Sequence, residues 1–249
     1  MSHNIEVESG KTIRLPTAGK YCDRDIVVTA TGGGGSGGGD TEELARNFIE
    51  RNFPNGFTFP SGLTKVGDYA FYWATFLNEV ELDDTVTTIG NSAFYRSSTK
   101  KITAPNVTST SQSAFGYCLS LVDASLDSIV TMGGNTFQMC QKLETVNLPK
   151  VEKLGSYEFS NCSNIKIVDL PKCTYIGSAS FQQTKKLEKL ILRANSVCTL
   201  QASNVFSNST IASGTGFVYV PDNLVDSYKG ATNWSAHASQ IKGLSELDG

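Results

Sequence analysis

Side chains able to carry out chemistry are few in this chain, and they are scattered. Histidine, the usual general base, occurs only as His3 and His237. One lies at the N-terminus and the other near the far end, so neither has a scaffold on which to meet a nucleophile. Six cysteines are present, but Cys118, Cys140 and Cys162 recur every 22 residues, where zinc sites use CxxC pairs. The densest carboxylates are Glu79, Glu81, Asp83 and Asp84. They could form a glycosidase pair or a calcium site, yet no matching set recurs, and a solvated strand face and turn is the expectation. Residues 32–39 (GGGGSGGG) contain a formal GxGxxG. No helix with a packing glycine follows in a βαβ unit, so the run is expected to be a tether and not a dinucleotide site. No enzyme activity, metal centre or cofactor is therefore expected.

The elements that would position any binding group repeat. Phenylalanine returns as Phe71, Phe94, Phe115, Phe137, Phe159, Phe181 and Phe206, at steps of 23, 21, 22, 22, 22 and 25 residues. Before most of these rings lies an apolar residue followed by glycine, as in Val66-Gly67, Ile89-Gly90, Met132-Gly133, Leu154-Gly155 and Ile176-Gly177. Three residues after each ring comes a small side chain: Ala74, Ser97, Cys118, Cys140, Cys162, Thr184, Ser209. Aliphatic residues follow at Leu77, Leu121, Leu143, Ile165 and Leu187, then at Leu82, Leu126, Leu148, Leu170 and Leu192. A unit of about 22 residues cannot bury its own apolar side chains, so it lays them against those of its neighbours. The seven phenylalanines are thus expected to form a structural ladder. Alternation near Val146–Leu148 and Val168–Leu170 predicts one strand per coil, stopped by Pro149 and Pro171. The ring-bearing part is expected to be a short turn or a single helical turn on the opposite side of the coil. Ser97, Ser98, Thr99 and Lys100 depart from the pattern in the second repeat.

The phrases Ile89-Gly-Asn-Ser-Ala-Phe94, Ala114-Phe-Gly-Tyr-Cys118 and Phe159-Ser-Asn-Cys162, followed by Val168-Asp-Leu-Pro171, resemble the BspA-type leucine-rich repeat, IGxxAFxxCxxLxxVxLP. The likeness covers about 150 residues and implies a β-rich solenoid of about seven coils. Proteins with such repeats include surface adhesins and proteins of tailed bacteriophages. Residues 12–29 resemble short N-terminal segments of structural (tail, baseplate or fibre) proteins of phages infecting gut bacteria. The phrase from Val218 to Lys229, with Asn233-Trp234, is similar to the cap that follows these repeats in gut-bacterial and phage proteins.

The chain divides accordingly. Residues 1–31 are expected to be a small β docking segment, too small to be stable without a partner. The tether over 32–39 would span roughly 16 Å. Residues 40–62 form an N-terminal cap that begins with an amphipathic helix over 40–51 through Leu44, Phe48 and Ile49. The solenoid occupies 63–212. The C-terminal cap covers 213–249, with a strand before Pro221, a helix capped by Asp222, and a further helical stretch from Trp234 to Ile241. Trp234 is expected to anchor the core and not to bind a ligand.

A formal charge of -3 and a charged fraction of 18 % leave no basic field for nucleic acid. No run of 18 apolar residues suggests membrane insertion, and the first residues do not resemble a secretion signal. Cys118, Cys140 and Cys162 share a phase with Ala74 and Ser97, so buried, reduced fillers are expected, consistent with synthesis in a host cytoplasm. Binding is the function that remains. Trp73, Arg96, Tyr117, Met139, Asn161 and Gln183 stand two residues after successive rings, and Tyr72 and Tyr95 adjoin them. Aromatics, Arg and Met are enriched at recognition hot spots, so Tyr72, Trp73, Tyr95, Arg96, Tyr117 and Met139 form a candidate partner-binding ridge. The alternative is that they are half-buried turn residues packed on their neighbours. The first functional expectation is a virion structural protein of a tailed phage, docked to other virion proteins through residues 1–31. Its repeats would bind a host-surface glycan or protein, or decorate the particle. The other is a bacterial cell-surface adhesin or scaffold of the BspA type. A homo-oligomer is left open, with no heptad to specify one.

Overall fold

The structure is a computed structural model that describes residues 12–13, 28–30, 62–75 and 77–247. The tether, nearly all of the N-terminal cap, His3 and Cys22 lie outside the described residues. Two short strands, β1 (Thr12–Ile13) and β2 (Val28–Ala30), precede the solenoid. The first coil carries β3 (Leu63–Val66) and β4 (Glu79–Glu81), the second β5 (Thr88–Ile89) and β6 (Lys101–Thr103). The third carries β7 (Ser109–Thr110) and β8 (Asp123–Ser125), and the fourth β9 (Thr131–Met132) and β10 (Thr145–Asn147). Next come β11 (Lys153–Leu154) with β12 (Ile167–Leu170), and β13 (Tyr175–Ile176) with β14 (Lys189–Leu192). The array ends with β15 (Thr199–Leu200), β16 (Phe217–Val220) and β17 (Ile241–Gly243).

Odd-numbered strands from β3 to β15 run parallel along one side of the coil in a nine-stranded sheet that also includes β2 and β1. Opposite stand two four-stranded sheets, β4-β6-β8-β10 and β12-β14-β16-β17. Every coil thus has two strands, where alternation in the sequence predicts one. Apart from the four-residue β3, the additional strands are only two residues long, too short to show a period of two, and the second residue of each is its single fully inward side chain. At its leading edge the nine-stranded sheet is covered by β2, antiparallel to β3 with Val28 opposite Val66 and Thr29 opposite Lys65. Residues 28–30 therefore lie along the first coil, which pairs a strand edge that would otherwise be open.

Register between coils is fixed by columns of identical phase. Neighbouring rings of the seven phenylalanines stack at centroid distances of 5.2 to 5.8 Å with planes within 18°. All seven are fully buried, and so are the aliphatic columns beside them. The second coil is one residue short, and Thr99 fills the slot of Leu121, its hydroxyl 3.0 Å from that of Ser97. Cys118, Cys140 and Cys162 are buried free thiols and do more than fill space. Each donates to the carbonyl of the preceding coil's phenylalanine, at 2.9, 3.1 and 3.1 Å.

The far end is closed by side chains that stand in for a missing coil. Asn233 Nδ2 donates to the Leu200 carbonyl at 3.0 Å, Trp234 Nε1 to that of Cys198 at 2.6 Å, and the Cys198 amide donates to the Tyr228 hydroxyl at 2.9 Å. Trp234 is fully buried, and with His237 it ends the phenylalanine ladder on Phe206. Asp222 is not the helix cap expected from its position. It opens a 3-10 turn (Asp222–Leu224) before the helix Val225–Gly230, and its carboxylate accepts from the amide and hydroxyl of Ser245. The stretch after Trp234 is a 3-10 helix over Ser235–Gln240, and Ile241 already belongs to β17, parallel to β16.

Candidate recognition surface

The ring-bearing side of each coil is a turn with an unusual hydrogen-bond pattern. Alternate amides bond within the coil, as Tyr72 to Tyr69 and Ala74 to Phe71, and to the next coil, as Tyr69 to Asn91, Phe71 to Ala93 and Trp73 to Tyr95. The residues two after each ring, and those two before the first six rings, lie in the left-handed region. Trp73, Arg96, Tyr117, Met139, Asn161, Gln183 and Asn208 have φ between 57° and 64°. Such a backbone costs energy for a non-glycine residue and often marks an active site. Its recurrence in every coil makes it part of the repeat geometry here. One consequence is that side chains two after the ring turn outward in a column along the axis.

In the first three coils this column is aromatic and cationic. The Arg96 guanidinium lies over Trp73 in the preceding coil at 5.0 Å and over Tyr117 in the following coil at 5.1 Å, with Tyr95 at 5.7 Å. Beside it Tyr72 and Tyr95 stack at 5.2 Å with planes 8° apart, and Tyr95 meets Tyr117 at 5.2 Å in a tilted pair. Gly116 takes the place that Tyr72 and Tyr95 hold in earlier coils, and a Cβ there would touch the Tyr95 ring at 3.0 Å. The aromatic column therefore ends at Tyr117. Half-buried Met139 comes next, then Asn161 and Gln183. Trp73 is 40 % exposed and Arg96 is exposed, while Tyr72, Tyr95 and Tyr117 are half-buried. These residues thus pack on one another and also face solvent. Tyr69 joins them, 5.9 Å from Tyr72, with its hydroxyl accepting from Asn91 Nδ2. Its place two residues before the ring is the mirror of Trp73, a symmetry that becomes visible only with the backbone angles. Burial raises the Tyr95 phenol above its ordinary value, and the hydrogen bond from Arg96 opposes that rise.

The other chemistry-bearing residues do not converge. Glu79, Glu81, Asp83 and Asp84 are exposed on β4 and the turn after it, and among the described residues no cluster of three His, Cys, Asp or Glu could hold a metal ion. His237 is half-buried with its ring edge toward Phe206, and burial lowers its pKa. One titratable group escaped the sequence reading. Glu158 is fully buried beside Phe159, in a column otherwise filled by Ala70, Ala93, Ala114, Thr136, Ser180 and Val205. Its Oε2 accepts from the Thr136 amide at 2.9 Å and its Oε1 from the Gly155 amide at 3.1 Å. Burial pushes its pKa up to about 8, against the two amides that favour the anion. No described helix is long and apolar enough to cross a membrane.

The model for the BspA type leucine rich repeat region matches in six copies, over residues 46–166 and 109–216. The chain belongs to the BspA-type leucine-rich repeat family. Among solved structures, a leucine-rich repeat protein from Bacteroides ovatus is 21 % identical with a TM-score of 0.47, covering 66 % of this chain and 48 % of its own. This BspA-type chain thus spans about half the length of that relative. A leucine-rich repeat protein from T. pallidum is 19 % identical with a TM-score of 0.47, covering 70 % of this chain and 92 % of its own. A leucine rich cell surface protein from Faecalibacterium prausnitzii is 18 % identical with a TM-score of 0.35, covering 75 % and 62 %. No curated protein matches. The resemblance of residues 12–29 to phage segments gains no support from the family match, which begins at residue 46.

Proposed function

We propose that this protein is a non-catalytic recognition protein of the BspA-like surface class, whose repeats display the column Trp73–Arg96–Tyr117 to a partner on a cell or matrix surface. The observation that carries the reading is the placement of a guanidinium between aromatic rings of two neighbouring coils, with Trp73 and Arg96 open to solvent. Aromatic and Arg side chains lose little further freedom when they are already packed on one side, which is what a recognition surface needs. Family membership supports the class, and a stacked array suits an extended partner better than a small molecule. A virion role with docking through residues 1–31 rests on the wording of residues 12–29, the missing secretion-signal pattern and the separation of a docking segment from the repeats by a tether, none of which the family match adds to, and it is the weaker reading. Protease treatment of intact producing cells tests the choice. Repeat peptides released from uninfected cells are the expected result, and their recovery only from purified phage particles would contradict it.

A further inference from the structure

We infer that Arg96 and the rings around it form a binding site for a carboxylate-bearing glycan, with Arg96 taking the carboxylate and the tyrosine edges taking the sugar. The inference deepens the recognition reading above and rests on it. Among the described residues the guanidinium of Arg96 has aromatic neighbours and no carboxylate partner, in contrast to Arg193, which is paired with Asp169 at 2.8 Å. A planar fork of donors held between rings is arranged for a planar, bidentate anion.

The neighbours of Arg96 favour a sugar over an acidic peptide. A peptide strand would need free backbone groups, yet the amides of Trp73, Arg96, Tyr117 and Met139 are all committed to the next coil. Beyond Tyr117 the ridge carries half-buried Met139 and then the amide side chains of Gln138, Asn161, Gln182 and Gln183, and these amides suit a hydroxyl-rich chain. One coil step, 5.2 Å between the Tyr72 and Tyr95 centroids, is comparable to the length of a pyranose ring, so an extended sugar chain can follow the axis coil by coil.

Titration of the full-length protein with tetragalacturonate, followed by tryptophan fluorescence, tests this. Trp234 is fully buried, so the exposed Trp73 reports the site. The column itself supplies substitutions that keep the left-handed turn, since Gln183 and Asn161 occupy the same position in later coils. Saturable binding is expected, weakened by about tenfold or more in Arg96→Gln and in the methyl-esterified tetramer, with thermal unfolding unchanged. Absence of any tetragalacturonate response, equal affinity for the methyl ester, or equal affinity for a tetraglutamate peptide would each overturn the inference. Should the protein instead bind another surface component, with Trp73→Asn abolishing that binding and Arg96→Gln leaving it intact, the recognition reading stands while the acidic-glycan inference falls.

Discussion

Glu158 shows how much one residue can set in a repeat core. Its folded pKa of about 8 lies above the ordinary carboxyl value of 4.5 that describes the unfolded chain, so the folded state holds the proton more tightly. Below the unfolded value both states are protonated and Glu158 carries no penalty. As pH rises toward 8 the unfolded chain ionises first, and stability falls by an amount on the order of a few kcal/mol. Urea midpoints measured from pH 5 to pH 9 should therefore decline in the wild type. In Glu158→Gln that decline should vanish, although the variant starts lower because an amide nitrogen cannot accept from a backbone N–H. Equal slopes in both proteins would refute the assignment. The phenylalanines carry a larger share of stability. Removing the Phe137 ring leaves a cavity between Phe115 and Phe159, and Phe137→Ala should cost about 3–5 kcal/mol by chemical denaturation. These rings were legible from spacing alone, because a side chain stacked on its own copies must recur. Glu158 was not, since a single acid in a column of small residues leaves no periodic trace.

Elements obey the same distinction. The strands β10 and β12 are legible from alternation and from Pro149 and Pro171, the repeat carries that reading to β6, β8 and β14, and Pro221 marks the C-terminal strand. The two-residue strands opposite were hidden, and so was the left-handed turn, which accepts Trp, Arg, Met and Gln as readily as Asn and so shows no residue preference to read. Where two coils touch backbone to backbone, the glycines are required by space. A Cβ on Gly177 would fall on the Gly155 carbonyl, whereas one on Gly230 meets nothing within 4 Å. Gly177→Ala should destabilise the protein by about 2 kcal/mol or more, while Gly230→Ala should change stability by less than about 0.5 kcal/mol, both read from thermal unfolding. At the closing end, Asn233→Ala removes the side-chain donor to the Leu200 carbonyl and asks alanine to hold φ of 65°. A loss of about 1–2 kcal/mol is expected, with early fraying of β15 by hydrogen exchange.

On the scale of the whole molecule, each coil packs on its immediate neighbours, with Ser156 Oγ reaching Gln201 two coils on, so a surface spread over several coils is as ordered as the ladder beneath it. The recognition ridge depends on that coupling. Trp73, Arg96, Tyr117 and Met139 present side chains outward, yet their amides donate to Tyr95, Gly116, Gln138 and Ser160 of the next coil at 2.7 to 2.9 Å. A ridge so held meets its partner with little left to order. Hydrogen exchange at single-residue resolution on these four amides is the most direct test. They should exchange as slowly as the amides of Phe94 and Phe115, through global unfolding, in spite of the exposed side chains they carry. Exchange as fast as in an unstructured chain would mean that the ridge is not preorganised, and the recognition account would fail with it.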